Sequence, residues 1–114
     1  MKAELKYIHS PDADLEQGAL PQDSLFVQLM IGPVGGRGEE SFDLTVCTPE
    51  ARDNLVDASD PDSARYLVVL PRIDTALVKR YVDDLLRNLE RPTWAELAEE
   101  IGHIARWEFH DYRP

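Results

Sequence analysis

The residues of this 114-residue chain that could do chemistry are one cysteine, three histidines and 22 carboxylates. Cys47 stands just before a helix start at Thr48-Pro49-Glu50, where a helix N-terminus can lower a thiol pKa. No histidine lies at a fixed local spacing from it, so it reads as a buried or passive thiol. His9, His103 and His110 form no i, i+4 pair, and one cysteine is too few for a structural zinc site. His110 beside Glu108 and Asp111 could hold a metal only by accident, and His103 reads as a cation at a helix C-terminus. The carboxylate pairs Glu39-Glu40, Asp83-Asp84 and Glu99-Glu100 do not converge. Neighbours in a strand face opposite ways, and neighbours on a helix point about 100° apart. The Gly32 to Gly38 stretch lacks the Lys-Ser/Thr ending of a phosphate loop and runs into a strand, so it reads as a hairpin. These residues predict no catalytic constellation, no metal and no cofactor. The chain reads as a non-enzyme.

The elements that must position these side chains follow from the apolar pattern. Lys2 to His9 alternates, with Ala3, Leu5 and Tyr7 on one side, and predicts a half-buried strand. The acidic, proline-bearing stretch to Asp23 is a loop. Leu25 to Ile31 is nearly all apolar and predicts a central strand. Glu40 to Cys47 alternates again, with Phe42, Leu44 and Val46 pointing one way and Ser41, Asp43, Thr45 and Cys47 the other. Thr48-Pro49-Glu50 starts a short helix reaching about Val56. Tyr66 to Leu70 predicts a fourth strand. Asp74 caps a long helix whose Leu77, Val78, Tyr81, Val82, Leu85, Leu86 and Leu89 share one stripe. Thr93-Trp94-Ala95-Glu96 is a capping box opening a third helix that stops at Gly102. Ala105, Trp107 and Phe109 alternate in a fifth strand or an extended docking arm. Both tryptophans are expected in the core. The order is β-β-β-α-β-α-α-β. It predicts a single α+β domain over 1–114, with a mainly antiparallel sheet of about five strands and two or three helices on one face.

Charge narrows the partners. The formal net charge is −10 and the pI is near 4.6. That argues against nucleic acid or an anionic membrane as direct ligand and permits a basic partner. Residues 39–62 carry eight of the acids (Glu39, Glu40, Asp43, Glu50, Asp53, Asp57, Asp60 and Asp62) against Arg52 alone. Most of the imbalance sits in that fifth of the chain. Within it, Glu39, Glu40, Asp43, Asp57, Asp60 and Asp62 are the expected partner-binding residues. A lone cysteine fits a reducing compartment. No apolar run approaches a membrane span, and the N-terminus has no signal core, so the expected location is cytoplasmic.

Several blocks, in order, resemble a known family. They are Met1-Lys2-Ala3-Glu4-Leu5, Ser10-Pro11-Asp12, Gln28-Leu29-Met30-Ile31-Gly32-Pro33 and Glu40-Ser41-Phe42-Asp43. Val46-Cys47-Thr48-Pro49, Thr93-Trp94 and Trp107-Glu108-Phe109-His110-Asp111-Tyr112 complete the set. Together, over nearly the whole chain, they resemble the immunity-protein-eight family of bacterial polymorphic toxin systems. The resemblance implies a small cytoplasmic protein that binds and neutralises a toxin domain, with no catalytic residues. A basic nuclease-type toxin is the partner class that an acidic surface would suit. Two other functions stay open. One is an acidic adaptor or chaperone for a secreted effector. The other is a small carboxylate- or cysteine-dependent enzyme. Oligomeric state is also open, monomer or dimer.

Overall fold

Strands β1 (Ala3–His9), β2 (Ser24–Pro33) and β3 (Glu40–Cys47) form an antiparallel meander. The computed structural model describes residues 1–109, so the expectations placed on His110, Asp111 and Tyr112 lie outside the described residues. Short strand β4 (Leu67–Val69) adds parallel to the end of β3. The two-residue β5 (Arg106–Trp107) adds antiparallel to its start. The sheet order is β1-β2-β3-β4, with β5 also on β3. Helices α1 (Pro49–Leu55), α2 (Thr75–Arg87) and α3 (Trp94–Ile101) complete the α+β fold, with a 3-10 turn at Pro61–Ala64.

Period-two alternation decides which face is which. Leu25, Val27, Leu29 and Ile31 of β2 and Phe42, Leu44 and Val46 of β3 are all buried, and α2 adds Val78, Val82 and Leu86 to the same cluster. These three are four residues apart, so one helical stripe meets the sheet. Each such side chain contributes about 1.5–3 kcal/mol on burial. Leu97, Ala98 and Ile101 of α3 join them. Both longer helices therefore cover one face. The opposite face bears Phe26, Gln28, Met30, Ser41, Asp43 and Thr45, which are only partly shielded.

The first strand departs from strict alternation. Leu5 pairs with Ile31 but Tyr7 pairs with Met30, so a bulge at Lys6 resets the phase. Leu5 and Ile8 both pack against the core, while Tyr7 turns to the open face and is 52% exposed. The extra residue in one strand lets two apolar residues three apart reach the same side. Tyr7 is thus not the core partner of Ala3 and Leu5 that alternation predicted.

The caps follow the sequence closely. Thr48 Oγ1 accepts from the Ala51 N–H, Asp74 from Leu77 at 3.1 Å and Thr93 from Glu96 at 3.2 Å. The β2–β3 hairpin depends on its glycines. Gly38 has a φ of 87°, and a Cβ on Gly32 would sit 2.2 Å from the Gly38 carbonyl oxygen. The predicted fourth strand is shorter than Tyr66 to Leu70 because Tyr66 adopts a φ of 61°, which no extended strand accommodates.

Candidate functional site

The carboxylate of Glu40 accepts hydrogen bonds from both tryptophans, Trp94 Nε1 at 2.9 Å and Trp107 Nε1 at 2.5 Å. It ties the start of β3 to the first turn of α3 and to β5. Expected on a partner-facing surface beside Glu39, Glu40 instead points to the helix-covered side. It shares the parity of Phe42 and Leu44, and its pairing with the core residue Ile31 places it there. That parity was readable in the sequence. The two indole donors were not, because they arrive from residues 54 and 67 positions away. Trp94 and Trp107 are half-buried against the core, and Trp107 stacks on Phe42 with ring centroids 6.4 Å apart.

Asp43 stands on the open face, opposite Gln28, with Arg106 paired across from it on β5. Burial pushes its carboxyl above the usual aspartate range, against the pull of the Arg106 guanidinium and a hydrogen bond from Gln28. Its Oδ1 is enclosed and makes no hydrogen bond among the described residues. Phe26, Leu44, Thr45, Arg65 and Tyr66 join Asp43 and Arg106 around a notch of about 300 Å³.

The other predicted acids lie apart from this notch in the chain. Glu39 is exposed in the hairpin. Asp57, Asp60 and Asp62 are exposed in the turn before β4, and they shape that turn. Asp57 Oδ1 accepts from the Ser59 backbone and hydroxyl, which lowers its pKa, the hydroxyl acting most strongly. Asp60 Oδ1 accepts from the Asp62 N–H at 3.0 Å. These bonds use part of each carboxylate and leave the remaining lone pairs toward solvent.

The groups considered for nucleophilic or metal chemistry are placed elsewhere. Cys47 is fully buried, and burial raises its thiol pKa despite nearby Arg52. That environment disfavours the thiolate a nucleophile needs. His9 is exposed at the end of β1, opposite Gln28. No group of three or more metal-binding side chains comes together among the described residues. No helix among them is long and apolar enough to cross a membrane.

Further concave regions among the described residues include two on other parts of the fold. One, of about 380 Å³, lies along the outer edge of β1, between Leu5–Ile8 and the Thr75, Lys79 and Asp83 side of α2. The other lies between the hairpin glycines and Trp94, beside Arg37 and Glu39. Neither contains convergent acid–base or nucleophile–base partners of the kind that acyl or glycosyl transfer requires.

The scaffold has two layers, one open sheet face and a surplus of acids. Neither a curated protein nor a solved structure matches the chain. The family model for Immunity protein 8 matches residues 3–112, nearly the whole length, and the chain belongs to that family.

Proposed function

We propose that this protein binds a cognate toxin domain of a polymorphic toxin system in the cytoplasm and blocks it by occupying its surface, without chemistry of its own. The observation that carries the reading is the family match over residues 3–112. Charge supports a basic partner, of which nuclease-type toxins are the natural class because they must hold phosphate. Glu39, Asp43, Asp57, Asp60 and Asp62 are the proposed partner-facing acids, while Glu40 acts from within by holding the two tryptophans. Acids of this kind steer encounter and discriminate among partners more than they add affinity.

The test is co-expression with the toxin domain encoded beside this chain. Growth should be restored and the two proteins should co-purify. If the chain neither binds that domain nor relieves its toxicity, the immunity reading is lost. Replacing Asp57, Asp60 and Asp62 by asparagine should slow association at low salt and flatten its salt dependence, since screening at physiological ionic strength acts over about 8 Å.

A further inference from the structure

The second edge of β3 is divided. β4 pairs with Thr45 to Cys47, and β5 pairs with Phe42 and Asp43. The Asp43 notch opens on the sheet where these two short strands approach each other, and three features converge there. Tyr66 holds a left-handed backbone, with φ 61°, that a bulky aromatic residue rarely adopts. Its carbonyl is bonded by the Thr45 N–H at 2.9 Å, which keeps it in place. The Arg65 guanidinium lies 4.9 Å from the Tyr66 ring centroid, so the ring orients it before any partner arrives. Arg106 of β5 also lines the notch.

In a chain with ten surplus negative charges, two exposed guanidiniums line this notch. Five other basic residues, Lys6, Arg52, Arg72, Arg87 and Arg91, form ion pairs. Arg65 and Arg106, like Lys2, Arg37, Lys79 and Arg80, form none with a described residue. Asp43 attracts Arg106, and Glu108 lies within electrostatic reach of Asp43, yet neither carboxylate forms an ion pair with Arg65 or Arg106. Phe26 and Tyr66 supply aromatic walls. Tyrosine, phenylalanine and arginine are the residue types that concentrate at binding hot spots and interface cores.

We propose that this notch anchors the toxin domain by receiving one of its carboxylate side chains between Arg65 and Arg106. The proposal rests on the toxin-binding reading above. The acidic turn leads straight into the notch, with the Arg65 N–H bonded to the Asp62 carbonyl at 3.0 Å. A basic toxin is drawn in by the acids and then fixed in register by a single acidic residue of its own. A partner with basic charge alone would meet the two guanidiniums in the notch, which penalises it.

The experiment measures binding of the neighbouring toxin domain to the wild type and to Arg65→Glu, Arg106→Glu and Arg106→Leu, with thermal melts to verify folding. Each charge reversal should weaken binding at least about tenfold, mainly through faster dissociation, because removing one partner of a desolvated pair acts on the off-rate. Arg106→Leu should also weaken it. Changing one acidic residue of the toxin to arginine should restore binding to Arg106→Glu. For folded variants, reversals that leave affinity within twofold of wild type would overturn the proposal while the immunity reading stands. So would an Arg106→Leu variant that binds as tightly as wild type. A wild-type chain that does not bind the toxin domain at all would overturn both. Sedimentation of the chain alone should show no dimer sensitive to Arg106→Glu. Such a dimer would assign the notch to a second copy and refute the toxin assignment.

Discussion

Glu40 holds two indole N–H groups with one carboxylate, and removing it should unfasten the edge of the fold. A hydrogen bond to a charged acceptor contributes about 1.5–3 kcal/mol. The site is only half-buried, so the lower figure applies to each of the two bonds. Glu40→Ala should therefore cost about 3 kcal/mol. Glu40→Gln keeps one acceptor oxygen but turns an amide donor toward the second indole, and should cost about 2 kcal/mol. For a chain of this length the whole stability is roughly 6–17 kcal/mol at typical per-residue values. A drop of about 8 °C in Tm for Gln and about 12 °C for Ala follows at roughly 4 °C per kcal/mol. The chain's two tryptophans are the same two that bond Glu40, so urea unfolding followed by fluorescence reads the site directly. Far-UV circular dichroism should give the same transition. Exposed Glu39→Gln is the control and should stay within about 0.5 kcal/mol of wild type. If Glu40→Gln also stays within that margin, the two indole bonds do not contribute what their geometry indicates.

Three further outcomes follow from individual contacts. Gly32→Ala should destabilise by about 1–3 kcal/mol in urea titration, because its Cβ would collide with the Gly38 carbonyl. Cys47 should resist iodoacetamide at pH 7.4 in the folded protein and react promptly in denaturant; equal rates would mean that the buried thiol is transiently accessible. Burial raises the folded-state pKa of Asp43 above its unfolded value, so the ionised form is penalised in the fold above that pKa, and the penalty fades as pH falls through it. Asp43→Asn should accordingly raise the urea midpoint at pH 7, with the gain shrinking toward pH 3, and a lowered midpoint at pH 7 would contradict the burial argument.

Local patterns carried most of the architecture. The alternation in β2 and β3, the seven-residue glycine hairpin and the stripe on α2 each report a period that a single element must satisfy. Thr48, Asp74 and Thr93 mark helix starts because their side chains bond backbone donors three residues on, well within the reach of sequence reading. The acid surplus between residues 39 and 62 and the family resemblance were likewise legible, since composition and motif order need no coordinates.

Long-range geometry decided the rest. The sheet order and the parallel placement of β4 depend on which edge of β3 the chain returns to, and no local period encodes that. The bulge at Lys6 breaks alternation because burying Ile8 outweighs burying Tyr7, a competition settled only when β1 meets β2. Glu40 looked like one acid among eight. Its role as the tie between two tryptophans needed α3 and β5 to bring Trp94 and Trp107 to the same carboxylate. The notch around Asp43 arises only because two short strands share one edge of β3. Sequence alone determined the elements and the charge, since both are sums over neighbouring residues. Tertiary structure decided which charges stay exposed and which bond inward, because that depends on contacts between residues dozens of positions apart.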